Sequence, residues 1–232
     1  MPSRLKDLQF KIWIAFLTFL SGFINVGAIR SFSLPVSHHT GNVSHLALSI
    51  ANKNAKEILA VILVILAFFA GAFVSGLLFH QRKFGLKKRY GILLMGLAMI
   101  FLSLALFKSQ TPQILKVSAL SFAAGIQNAM FIFYGDILVR TTHITGYLTD
   151  AAFALAMCLR GKKDKFRFFS FYSLNILFFL TGGIIAGLIK IGSFFISSAC
   201  LYFIAGLYYF IMREKKLFNK ICRSLYLTII NF

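Results

Sequence analysis

Long apolar runs, separated by short clusters of Lys and Arg, follow one another along the whole chain. Those at about 10–30, 57–80, 91–107, 114–134, 168–189 and 191–212 approach the length needed to cross a hydrocarbon core of ~30 Å, for which about 20 residues suffice. Two shorter segments, about 40–51 and 145–159, break the pattern: each opens on Thr-Gly. The first reaches "NKNAKE" after about 12 residues and the second carries Asp150 in its first turns, so neither is expected to cross.

Composition makes lipid the solvent. The chain is 59% hydrophobic and 16% aromatic, a combination that soluble domains do not reach even with large cores. A formal charge of +19 would suggest nucleic acid if it were spread over one face; clustered between apolar runs, it reads instead as a topology signal, and nucleic acid is excluded as a partner. Arg4, Lys6 and Lys11 precede "IWIAFLTFL", yet this segment is read as the first spanning helix and not as a secretory signal, because its pattern recurs in mid-chain. Cys158, Cys200 and Cys222 share no short spacing, so a packing role is expected of them and no metal knuckle or disulfide framework.

The recurrence defines two copies of one unit. "SGFIN" at 21–25 matches "AGIQN" at 124–128, "HHTGN" at 38–42 matches "HITGY" at 143–147, and "FFAGAFVSGLL" at 68–78 resembles "FLTGGIIAGLI" at 179–189. The expected fold is therefore all-α, a single membrane domain over 1–232 with repeats at 10–107 and 114–212 and a basic, then apolar tail at 213–232. Charge chooses the topology. If the Thr-Gly helices do not cross, 19 of the 25 Lys and Arg fall on one side of the membrane. That favours six transmembrane helices as two inverted three-helix repeats, each with a short re-entrant or half helix, in the inner membrane with both termini cytoplasmic. The alternative is eight helices in two parallel four-helix repeats.

The paired motifs supply the candidate chemistry. Thr40 and Thr145 stand where helices begin, followed by Gly41 and Gly146, and a helix start offers free N–H donors and partial positive charge to an anion. His38 and His143 hold matching places two residues earlier, suited to donating to a solute or carrying a proton. Asn25 and Asn128, three residues after Gly22 and Gly125, are candidates for solute contact or for bonding between helices, with Gln127 and Asn42 as further polar groups. Asp150 must face protein or water, either paired with Arg140 or His143 or capping a turn near the cytoplasmic surface. The expected solute-binding set is Asn25, His38, Thr40, Gly41, Asn42, Gln127, Asn128, His143, Thr145, Gly146 and Asp150. Gly22, Gly71, Gly76, Gly125, Gly182 and Gly187 are expected to pack helices.

On "SGFINVGAI", "HHTGNV", "AGIQNAM" and "TTHITGYLTD" the chain resembles the YoaK family of bacterial membrane proteins of unknown function. That resemblance implies a polytopic inner-membrane protein of about six helices, and it implies an aspartate where this chain has Asn25. The function expected from these readings is a small permease or channel-like carrier for an anionic or dipolar solute, without metal or cofactor. Its expected partners are the bilayer and that solute, with a homo-oligomer left open. The competing readings are a membrane-embedded enzyme using His38, His143 and Asp150, and an accessory subunit.

Overall fold

A computed structural model describes residues 2–80, 84–107, 109–130, 133–134 and 137–230, with side chains described for 8–80, 84–107, 109–130 and 139–214. Eight α-helices run in the order α1 (Pro2–Phe32), α2 (His39–Ala51), α3 (Ala55–Phe79), α4 (Arg89–Leu106), α5 (Gln113–Ala129), α6 (Ile144–Leu159), α7 (Phe166–Leu188) and α8 (Phe194–Ile230). Local chemistry sets several of the ends. Asn54 Oδ1 accepts from Glu57 N–H at 3.3 Å while its Nδ2 donates to Glu57 Oε2 at 3.1 Å, a reciprocal cap that starts α3. Gly161 at φ 91° closes α6, a conformation L side chains rarely adopt.

Among the described residues five stretches are long and apolar enough to cross a membrane: Leu8–Phe32, Ala55–Phe79, Arg89–Leu106, Lys163–Leu188 and Ile191–Glu214. The helix expected over 114–134 corrects to α5, which stops at Ala129 and is followed by a two-residue antiparallel ladder of Phe133–Tyr134 with Ile137–Leu138. With Lys116 and Gln127 inside it, α5 is too short and too polar to join those five. Enclosure compensates, since Val117, Leu120, Ser121, Ala123, Gly125, Ile126 and Gln127 are all buried. α8 runs unbroken to Ile230, through the basic and apolar tail.

Packing pairs the two halves crosswise. α1 lies on α7, α3 on α5, α4 on α8, and each short helix on the long one after it, α2 on α3 and α6 on α7. Thr18 meets Asn175, Gly22 meets Phe179, Val26 meets Gly183 and Arg30 meets the Ala186 carbonyl, so contacts advance together and α1 runs in the same direction as α7. By the same test α3 runs with α5: Ser121 Oγ donates to Val64 O at 2.7 Å and Gly125 meets Phe68. α8 runs against α4, with Gly91 on Phe210, Gly206 on Met95 and Phe101 on Tyr202, and also against α1, with Trp13 donating to Ala205 O and Phe23 on Phe194.

Glycines set the closest approaches, and they do so reciprocally. A Cβ on Gly22 would collide with the Phe179 carbonyl and one on Gly182 with that of Phe19; a Cβ on Gly125 would collide with the Phe68 carbonyl and one on Gly71 with that of Phe122. Gly22 and Gly125 are equivalent positions of the repeat, as are Phe179 and Phe68, so one crossing is built twice. The packing role expected of Gly76 and Gly187 is corrected, because a Cβ at either meets nothing within 4 Å. Each lies five residues beyond its packed partner, which at about 100° per residue turns it away from the contact. Cys200 is likewise exposed on α8 and not packed inside.

Candidate functional site

Each connector ahead of a short helix is drawn inward by an asparagine of the preceding long helix. Asn25 is 2% exposed, and its Oδ1 accepts from Val36 N–H and Ser37 N–H at 3.1 Å each and from Ser37 Oγ–H at 2.9 Å. In the second half Asn128 Oδ1 accepts from Thr142 Oγ–H at 2.8 Å. Ser37 and Thr142 occupy equivalent places immediately before His38 and His143, so the two clamps are one device. A second pair of bonds repeats in position: Asn42 Nδ2 donates to Pro35 O at 2.8 Å, and Arg140 N–H donates to Tyr147 Oη at 3.0 Å. The sequence missed Ser37 and Thr142, although the repeat spacing pairs the two hydroxyls, and it gave Arg140 only as a partner for Asp150.

The clamps fix where the short helices begin. α2 starts at His39 and α6 at Ile144, with His38 and His143 as their N-caps at nearly identical backbone angles (φ −106°, ψ 69° and φ −106°, ψ 75°) and with no side-chain cap bond in either. Thr40 and Thr145, expected at the very start of each helix, instead fall inside the first turn with Gly41 and Gly146. The His38 ring lies on Phe179 with centroids 5.8 Å apart, and the His39 ring on Phe68 at 4.2 Å. Phe179 and Phe68 sit midway along α7 and α3, so α2 opens beside the centres of both long helices. His143 stands within electrostatic reach of His38. Two helix starts, each with N–H groups that lack intrahelical partners and with partial positive charge, are thus anchored by buried connectors while His38, Thr40, Gly41, His143 and Thr145 remain exposed.

Beside the α6 start lies a cavity of about 270 Å³ lined by Arg140, His143, Thr145, Gly146, Tyr147, Thr149 and Asp150. It gathers four of the expected residues of the second half, adds Arg140, and places a guanidinium and a carboxylate on one lining. The ion pair expected of Asp150 with Arg140 or His143 is absent among the described residues. Asp150 is shared with a second cavity of about 330 Å³ that runs along α6 and α7 past Ala154, Phe168 and Tyr172 to Lys165.

The remaining expected residues lie elsewhere. Gln127 is 3% exposed and committed to structure: the two Nε2 hydrogens are shared among Leu17 O at 2.8 Å, Ser21 Oγ at 2.7 Å and Thr141 Oγ1 at 3.0 Å, while Oε1 accepts from Tyr202 Oη–H at 3.0 Å. Asn42 is buried, with Nδ2 also 3.3 Å from His39 Nδ1. His45 faces Glu57 at 3.6 Å. Among the described residues no three His, Cys, Asp or Glu gather in a way that could hold a metal.

No curated protein and no solved structure matches the chain. Residues 13–212, most of its length and all of the clamp and cavity residues, match the family model described as protein of unknown function (DUF1275), in keeping with the YoaK-like motifs, and the chain belongs to that family.

Proposed function

We propose that this protein is a small multi-pass permease or channel-like carrier of the inner membrane, binding a small anionic or dipolar solute between two inverted halves. The observation that carries the reading is the duplicated asparagine clamp, which commits buried hydrogen bonds to anchoring two helix starts, the second of them beside a cavity lined by polar side chains. Non-helical backbone at that depth is tolerated where protein buries it or it lines a wet space. Discontinuous helices aimed at a central site are a recurrent architecture of carriers.

Helix directions support the inversion. α4 and α1 both run against α8, so they run together; α3 turns back into α4 through a short loop and so runs against α1. α2 then returns to the side on which α1 ends, and six long helices alternate through the membrane. In this reading α5 is the sixth crossing. Sheltered by α1 and α3, it needs no continuous apolar surface, and its 17 residues rise about 25 Å. The distribution of the basic clusters supports both termini being cytoplasmic.

The solute sits at the α6 start, its negative group on the free N–H donors and Arg140, and a positive group, where there is one, toward Asp150. The test is flux of anionic and zwitterionic solutes into liposomes containing purified protein. Wild-type protein moves one class, and Arg140→Gln lowers that flux at least tenfold. No flux across the panel, with Thr40→Ala and Thr145→Ala leaving every cellular phenotype intact, overturns the reading. The topology is tested separately by single cysteines at Ser33, Asn52, Gly85 and Gly161. The first two label from the outside and the last two only after permeabilisation; opposite compartments for Ser33 and Asn52 mean that α2 crosses.

A further inference from the structure

The two halves differ at one place that the carrier reading does not use. In the second half α8 seats on α1, with Phe194 against Phe23 and Gly27 and with Trp13 Nε1 donating to Ala205 O at 3.1 Å. In the first half the corresponding pair, α4 and α5, barely touch; α3 and α4, like α7 and α8, are consecutive but lie apart, so in the first half nothing closes the space between them. What remains is an apolar groove of about 380 Å³, walled by Val74 and Leu78 of α3 and by Ile92, Leu93, Gly96, Leu97 and Ile100 of α4, with Phe122 and Ile126 of α5 as its floor. Gly96 keeps it open, since a Cβ there meets nothing within 4 Å.

The mouth of this groove is charged. Arg89 lines it, and among the described residues the one hydrogen bond of its guanidinium runs from Nη1 to the Leu78 carbonyl, which pins the group at the rim. Lys88 is the exposed residue before it, and Lys87 Nζ donates to Phe79 O at 3.3 Å. No Asp or Glu occurs between Glu57 and Asp136. The connector at the same place in the other half, 189–193, has only Lys190. Open groove and basic rim therefore coincide in the first half, where Lys87, Lys88 and Arg89 cluster; the matching end of α7 has Arg30, bonded to the Ala186 and Ile189 carbonyls, and Lys190.

We propose that this groove is a binding site for one anionic phospholipid, its acyl chain between α3 and α4 and its phosphate on Arg89 and Lys88. Dimensions agree: from Arg89 to Ile100 α4 rises about 16 Å, the depth of one leaflet of a core ~30 Å thick. Charge agrees too, because a basic pocket at the end of a membrane helix recruits acidic headgroups, and a planar guanidinium meets a phosphate through paired N–H donors. The inference does not depend on any solute being carried.

Native mass spectrometry of detergent-purified protein mixed with dioleoylphosphatidylglycerol or dioleoylphosphatidylcholine tests it. Wild-type protein retains one phosphatidylglycerol in preference to phosphatidylcholine by about tenfold, and Arg89→Gln cuts that preference about fivefold, the effect of one basic group near a headgroup. Gly96→Phe fills the groove and loses the retained lipid while keeping the wild-type circular dichroism and elution volume. Lys190→Gln leaves retention unchanged. Competition by inorganic phosphate without loss of the acyl chain assigns the rim to free phosphate and overturns the lipid assignment. Equal retention of the two lipids by wild type, or undiminished retention by a folded Gly96→Phe protein, also overturns it.

Discussion

Replacing Asn25 with leucine removes the acceptor that holds the first connector and leaves no space for water to take its place. Three donors lose their partner: the Val36 and Ser37 amides and the Ser37 hydroxyl. Val36 is fully buried, so its orphaned N–H costs about 1–3 kcal/mol; Ser37 is half-buried and recovers part of its loss from water, adding about 1 kcal/mol. The sum is about 2–4 kcal/mol, which for a chain of this size lowers Tm by roughly 5–15 °C. Asn25→Asp keeps every acceptor, and a carboxylate receiving two backbone N–H bonds and a hydroxyl is stabilised in its charged form. That variant, which restores the aspartate implied by the YoaK resemblance, is expected to melt at least 5 °C above Asn25→Leu. The assay is thermal unfolding in detergent by intrinsic fluorescence, using the aromatic cluster around Trp13. If Asn25→Leu melts with wild type, the clamp does not hold the connector. If leucine and aspartate fall equally, the asparagine acts through its N–H groups and the acceptor argument fails.

Gly22→Ala and Gly125→Ala each drive a methyl into a facing carbonyl and are expected to cost about 1–3 kcal/mol, whereas Gly76→Ala and Gly187→Ala are expected to be neutral or mildly stabilising; the same melts distinguish them. Gln127→Leu strips the partner from the Tyr202 hydroxyl, which is fully buried, and should cost about 2–4 kcal/mol, with Tyr202→Phe restoring much of it in the double variant. Asn128→Leu breaks one hydroxyl bond instead of three contacts and should cost about 1 kcal/mol, at most half the Asn25 effect in parallel melts.

The amino-acid order by itself determined the helices, their near-equal spacing in two copies, and the glycines of the crossings at 22, 71, 125 and 182. Lipid imposes the first of these, since every backbone group must bond within its own segment; duplication imposes the others. The order also showed that His38, His143 and their neighbours break an apolar pattern. It did not show what holds them there. That Asn25 grips its own connector, that Gln127 is consumed by Leu17, Ser21, Thr141 and Tyr202, and that Gly76 points away are consequences of how helices rotate and lean on one another. α5 ending at Ala129 and the opening between α3 and α4 have the same origin. Hydrophobic periodicity reports only that a face avoids water, and in a bilayer lipid and protein satisfy it equally. Which of the two a given face meets was decided by the tertiary packing alone.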